Sequence, residues 1–466
     1  MFESITTWIR GLWEKIMLTR DTIKTVFKID PPVSDAMSRA IEYWSKLYAN
    51  QAPWLTTDIV SLNLPVAIAS EIARITTIEA KVEITGSPRA DWLNVEMEEV
   101  MDSIREQAEY GVALGGMIFK PYINDDGKVI IDYVKADAFY PVEFGPNGEM
   151  RGAIFVDKRQ IGQYWFTKFE YHQMTGKNCL VKNMAFKSSS ANDLGSQVSL
   201  TSVADWSLLM PEATIQNIDK PLFAYFRFPV ANNIDRSSKL GVSCYARAVD
   251  LIQQADKQWS NFLWEFESGQ RALYVDVLAF GKDPDGKPVL PNKKLYRTID
   301  AGGQEDALFK DWSPTFRQAD LLMGLDSIMK RIEFSCGLAY GTLSDPTMIE
   351  KTATEILSAK QRTYAMVVDT QKALEDSLKD LIYAIDIWAT LSNLVPMGTY
   401  EATFTFDDSI VVDKEAQFRK DLTLVNTAIM SKIEFRMRNF GESEIKAKEM
   451  IGLATSEQPV LEFPAV

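Results

Sequence analysis

The chain has 466 residues, 46% of them hydrophobic and 24% charged, an ordinary composition for a folded protein and enough length for about two or three packed regions. Its 64 acidic and 50 basic side chains leave a formal charge of −14, so the chain either avoids nucleic acid or lets it slide, because a clamp built on many phosphate contacts is basic. Cys179, Cys244 and Cys336 are widely spaced and His172 is the single histidine, which argues against a disulfide framework and a Cys/His metal centre; no cofactor is expected.

The opening stretch, MFESITTWIRGLWEKIMLTR, sets Phe2, Ile5, Trp8, Ile9, Leu12, Trp13 and Ile16 on one helical face, with Arg10, Lys15 and Arg20 elsewhere. An interfacial membrane helix shares that pattern. The cleavage site and apolar core of a signal peptide are missing, and no run of about eighteen apolar residues exists. The segment is therefore read as a helix packing on its own protein or on a neighbouring subunit, with no membrane. A second amphipathic helix follows between Pro32 and Asn50, its face made of Met37, Ile41, Trp44 and Leu47. An apolar helix runs from Leu64 to about Ile75, a short strand covers Lys81 to Ile84, and another helix spans Trp92 to Tyr110.

Gly111, Gly115 and Gly116 come next, before a strand and without a following Gly-Lys-Ser/Thr. A phosphate-binding loop sits between strand and helix instead, so these glycines are read as tight packing at a helix-to-strand turn. Met117 to Thr201 reads as an antiparallel meander, with turns at Asn124–Gly127 and Gly145–Gly148. Asp125 and Asp126 belong to turn chemistry rather than to a catalytic pair. His172, with no Ser or Cys motif around it, is read as structural. A helix of roughly 27 residues, about 40 Å, then runs up to Gly269. Its apolar face holds Tyr245, Val249, Ile252, Ala255, Trp259 and Phe266, and its polar face holds Asp256, Ser260 and Glu267.

Arg271 to Pro314 turns strand-rich around Asp283-Pro284-Asp285-Gly286, and Arg317 to Gly337 returns as a helix. Pro284 and the missing distal Glu argue against an EF-hand calcium loop there. Gly341 and the Ser344-Asp345-Pro346 turn break the pattern again. From Glu350 to Leu391 there is neither Pro nor Gly, and apolar residues recur at Ile356, Ala359, Tyr364, Val367 or Val368, Leu374, Leu378, Leu381 or Ile382, Ile385 and Trp388. That spacing is one very long helix of roughly 60 Å. TYEATFTFDDSIVVD is strand-like, Lys414 to Leu453 carries two or three short helices broken near Ser431 and Gly441, and the tail is loose. No nucleotide loop, nucleophile elbow or zinc constellation occurs.

GLAYGTLSD (337–345), EKTATEI (350–356) and QKALEDSLKDL (371–381) resemble the portal proteins of tailed, siphovirus-type bacteriophages, and the element order extends that resemblance along most of the chain. It implies a helix-rich α+β portal fold. Residues 1–240 and 392–413 would form a discontinuous wing with a β meander, and residues 241–270 and 316–339 a helical stem. Residues 271–315 would be a small α/β clip, 340–352 a tunnel loop, 353–391 a long kinked helix, and 414–466 a helical crown and tail. It also implies a ring of about twelve subunits at one capsid vertex, passing double-stranded DNA without sequence specificity, and placed in the virion after synthesis in the host cytoplasm. Its partners would be the terminase large subunit, a head-completion adaptor, and major capsid and scaffolding proteins. The tunnel loop would be Ser344, Asp345, Pro346, Thr347, Met348, Ile349, Glu350 and Lys351, with Lys351 a mild DNA contact or simply a solvated lysine. Clip docking would use Asp283, Asp285, Lys287, Lys293 and Lys294. Another ring-forming connector or tail component, or a carboxylate-based hydrolase, is the alternative.

Overall fold

The stripe Met37, Ile41, Trp44 and Leu47 is the buried face of helix α2 (Asp35–Tyr48), capped by Ser34, whose hydroxyl accepts from the Met37 amide. A computed structural model describes residues 22–124, 126–191, 193–269, 272–276, 296–299, 309–312, 315–345, 353–406, 414–440 and 444–456. Residues 22–27 form helix α1. Beyond α2, the apolar stretch after Asn63 forms α3 (Leu64–Thr77), and α4 (Pro88–Leu114) runs longer than its sequence pattern at both ends. Leu93, Met97, Val100 and Ile104 of α4 share one core with Ile68 and Ile72 of α3 and with the α2 stripe.

The expected single meander is divided between two sheets. Strand β1 (Lys81–Thr85) precedes α4; β2 (Gly116–Ile123) and β3 (Val129–Lys135) then form a hairpin. β4 (Phe139–Phe144), β5 (Met150–Ile161), β6 (Tyr164–Thr175), β7 (Asn178–Ser188) and β8 (Ser196–Val198) make an antiparallel run, and β9 (Glu212–Gln216) also pairs with β7. The division falls at the turn where the Ala138 amide donates to the Lys135 carbonyl. The free side of β2 then takes β10 (Ala224–Arg227), not β4. A buried ionic cluster ties the sheets together. Lys120 on β2 lies 2.9 Å from Glu170 on β6 and 3.4 Å from Asp132 on β3, while Lys168 and His172 Nε2 lie 3.2 and 2.8 Å from Glu170. His172 is thus a structural partner of Glu170, packed edge-on against Phe155 and Phe223.

Downstream, a 3₁₀ turn at Ala246–Ala248 precedes helix α5 (Val249–Ser268), so the helix expected from Gly241 begins eight residues later. The cause is local. Gly115 ends α4 in the left-handed region (φ 87°), and a Cβ on it would stand 2.6 Å from the Gly241 carbonyl oxygen. The Cys244 amide donates to the Val112 carbonyl, and the Tyr245 hydroxyl to that of Trp44. Residues 241–245 are therefore pinned against the α4–β2 junction and turn directly into the 3₁₀ segment. The glycine cluster serves close backbone packing, and α5 starts from a fixed point.

The buried face of α5 also differs from the sequence pattern: Asp256 and Ser260 are inside, whereas Phe266 is 40% exposed. Asp256 accepts from the Trp54 indole and the Leu62 amide, both at 2.8 Å, and Ser260 accepts from the Val60 amide at 3.0 Å. Burial raises the Asp256 pKa above its ordinary value, against those two donors.

Three short strands, β11 (Ala272–Asp276), β12 (Tyr296–Ile299) and β13 (Phe309–Trp312), separate α5 from α6 (Gln318–Cys336). Then comes α7 (Ala353–Leu391), 39 residues or about 58 Å. Its Leu374, Leu378, Leu381, Ile382 and Ile385 are buried in the main core, packed on β2, β10, α3 and α4. Arg89 fixes its far end by pairing with Asp386 at 3.2 Å and Thr390 at 2.6 Å. β14 (Glu401–Thr405) returns to pair antiparallel with β1, so residues 81–85 and 401–405 share one sheet. Residues 407–466 form a second unit, holding α8 (Lys414–Asn426), α9 (Lys432–Phe440) and α10 (Glu444–Ser456). There the buried Asp421 accepts from Asn439 at 3.1 Å.

The ionic cluster gives the fold a pH window. Burial works to raise the Glu170 pKa, but Lys120, His172 and Lys168 outweigh it and hold the carboxyl well below its ordinary 4.5. Burial works to lower the Lys120 pKa, but Glu170 and Asp132 hold it above its ordinary 10.5. Stability from Glu170 is present above pH 4.5 and lost as pH falls through the depressed value. Stability from Lys120 is present below pH 10.5 and lost as pH rises through the elevated one. Glu170→Gln leaves both lysines buried without their shared carboxylate, and urea unfolding at pH 7 should show a loss of about 3–5 kcal/mol. The variant should also show a shallower decline in acid than the parent.

Candidate functional site: an anchored loop between two long helices

Helices α5 and α6 pack as an antiparallel pair. Arg317, at the start of α6, grips the Glu265 carboxylate with its guanidinium at 2.8 and 3.2 Å and its amide at 3.2 Å. Gln258 donates to the Leu321 carbonyl further along, and Phe316 stacks on Phe266. The pair leaves an apolar strip open: Leu263, Trp264, Phe266, Phe316 and Met323 are all exposed. Between the two helices β11 pairs parallel with β12 and antiparallel with β13, in the order β12-β11-β13.

At its other end α6 stops on Gly337, which adopts the left-handed conformation (φ 77°) that glycine enters without a Cβ penalty. The Leu338 amide donates back to the Glu333 carbonyl at 2.8 Å, and Leu338 itself is fully buried. The side chain of Glu333 then organises the loop beyond Gly337. It has no solvent exposure, yet it carries a carboxylate. Its oxygens accept from the amides of Gly341 (3.1 Å), Leu343 (2.6 Å) and Ser344 (2.8 Å) and from the Ser344 hydroxyl (2.9 Å). A carboxylate offers about four lone-pair sites, and here N–H and O–H donors from one short loop fill them, as a backbone nest holds an anion. One residue further, the Asp345 amide donates to Asp326 at 3.2 Å, and Asp326 also holds Lys330 at 2.6 Å.

Helix α7 supports the same loop from the other side. The Arg362 guanidinium lies over the Phe334 ring at 4.4 Å and over the Tyr340 ring at 5.8 Å. The Thr363 hydroxyl donates to the Gly337 carbonyl at 3.4 Å. Residues 337–345 are thus bound to the end of α6 and the first half of α7 together.

Ser344 and Asp345 are the two expected loop residues within the described part. Ser344 is buried on Glu333 and Asp345 is exposed. Pro346, Thr347, Met348, Ile349, Glu350 and Lys351 lie outside the described residues, as do Asp283, Asp285, Lys287, Lys293 and Lys294. Among the described residues no group of three His, Cys, Asp or Glu side chains could hold a metal ion, and no helix is long and apolar enough to cross a membrane. Glu333, Asp326 and Arg362 were not singled out by sequence. The signal for Glu333 was an acid placed four residues before Gly337, followed by the donor-rich run Gly341 to Ser344.

Two long helices flanking a short strand-rich insertion, an anchored loop and then a third, longer helix all lie within one stretch of sequence. A family model described as phage portal protein, SPP1 Gp6-like, matches residues 72–450. The chain belongs to this phage portal protein family. The matched span runs from within α3 into α10 and takes in every element of the site. Members of the family are structural components of the virion rather than enzymes. No curated protein matches the chain.

Glu333→Gln keeps the shape but turns two of the acceptor positions into a neutral amide, whose NH₂ faces donors. Chemical unfolding should show a loss of about 2–4 kcal/mol, with hydrogen exchange accelerated at residues 339–345. Ser344→Ala removes one donor and should cost about 1 kcal/mol.

Proposed function

We propose that this chain is the portal subunit of a tailed phage, closing with about eleven other copies into a ring at one capsid vertex. Double-stranded DNA would be packaged and ejected through that ring. The order of α5, the three-strand insertion, α6, the anchored loop and α7, inside the span matched by the portal family model, carries this reading. In it α5 and α6 are the stem, residues 271–315 the clip, 340–352 the tunnel loop and 353–391 the long helix behind it. The exposed strip from Leu263 to Met323 supports lateral packing between neighbouring stems, because apolar surface of this kind marks an interaction site. The clip docks the terminase large subunit during packaging and the head-completion adaptor afterwards. Major capsid and scaffolding proteins meet the ring at its periphery.

The acidity of the chain, with its formal charge of −14, suits a channel. Each phosphate contact adds affinity, so a strongly basic lumen would stall the duplex. A few basic side chains at chosen heights guide it with weak contacts, Lys351 of the tunnel loop among them. The loop works as a fixed element because Glu333 and Asp326 hold its entry.

Deleting residues 347–351 leaves Ser344 and Asp345 on their anchors. Rings should still assemble, while nuclease-protected DNA in the heads falls to background. Heads filled to the parental level by that deletion would remove the tunnel-loop assignment.

A further inference from the structure

A cavity of about 320 Å³ opens beside the first described residue, Thr22. Its apolar wall comes from Ile41 of α2, Phe139 of β4, Val156 of β5 and Phe169 of β6, and its charged margin holds three acids, Glu42, Asp137 and Asp193, against one base, Lys158. The Oε2 atom of Glu42 is buried without a hydrogen-bond partner, its other oxygen holding Lys46 at 2.9 Å.

Helix α1 points along this wall. Phe27 stacks on Tyr171 of β6 at 5.3 Å and meets Phe169 at 6.2 Å. Ile23, fully buried, packs in the cluster with Phe169, and Thr22 lines the cavity together with Phe169 and Thr167. Read backwards from residue 27 to 22, the helix runs from Phe27 on Tyr171 to Thr22 at the cavity, which is the next space on its path.

The sequence before Thr22 is in phase with that docking. Residues Phe2, Ile5, Ile9, Leu12 and Ile16 follow steps of three and four. The same count carried on reaches Thr19, Ile23 and Val26, the last two being the residues of α1 already seated on the sheet. Lys15 and Arg20 fall on the two flanks of this stripe, opposite in sign to Glu42, Asp137 and Asp193.

We propose that the cavity is the docking site for the chain's own N-terminal segment, residues 1–21. The segment continues the stripe of α1, seats Ile16 and Leu12 along the Ile41–Phe139–Val156 wall, and brings Arg20 or Lys15 to the uncommitted oxygen of Glu42. The amphipathic N-terminus is thereby a latch joining α2 to the six-stranded sheet rather than a membrane anchor.

Hydrogen–deuterium exchange on the full-length protein tests this. Ile16→Asp places a charge in the stripe, whereas Thr7→Asp lies on the opposite side of it. Ile16→Asp, and a chain lacking residues 1–21, should exchange roughly threefold faster or more in peptides covering 136–142 and 154–169. Thr7→Asp should leave them unchanged, and peptides covering 374–389 in all variants should report an intact core. Unaltered exchange at the cavity strands in Ile16→Asp and in the shortened chain would overturn the proposal. Protection lost on dilution, which would place a second copy in the cavity, would overturn it too. So would protection of the cavity strands that arises only with anionic phospholipid vesicles.

Discussion

A fully buried carboxylate facing backbone amides is the constraint on which the α6–α7 region depends. Glu333 cannot lose its loop donors without leaving a charge in the interior, and a buried charge left without partners is among the costliest defects a fold can carry. The loop in turn cannot leave without abandoning three amides and a hydroxyl. Each side is thus held by the cost of separating, and a segment rich in glycine and small polar residues gains one conformation. Arg362, stacked over Phe334 and Tyr340, extends the constraint to α7.

The same device recurs where α5 leaves the core. Asp256 draws the loop around Trp54 and Leu62 onto the helix, and the close approach of Gly115 to Gly241 fixes where that helix can start. Between the two sheets, Glu170 gathers Lys120, Lys168 and His172. These acids act at joints between elements, where apolar packing alone leaves orientation loosely specified. For a subunit read as part of a channel, that has a mechanical meaning. The helices α5, α6 and α7 are referred to one core through directional bonds, which fixes the position of the loop entry relative to that core.

Much of the fold was legible because it obeys simple periods. The stripes of α2 and α7 were recoverable from three- and four-residue steps, since packing against a flat core selects one helical face. The Asn124–Gly127 hairpin was legible from its turn residues. The division of the meander was not, because a turn within a sheet and a turn between sheets use the same residues. The inward face of α5 was misjudged for a related reason. Asp256 and Ser260 read as solvated until their partners, some two hundred residues away, are known. Ser344 read as part of the tunnel loop, yet it is an anchor, because the acid that binds it lies eleven residues back on α6 and the pairing shows only once the loop has folded onto it. Buried polar groups defeat pattern reading because their burial is licensed by distant donors.

The most direct test of the account is the solution mass of the purified full-length protein, taken with negative-stain images of the same fractions. A closed ring with a central hole and about twelve times the subunit mass of 52.6 kDa is the predicted result. A compact dimer or tetramer without a hole would contradict it.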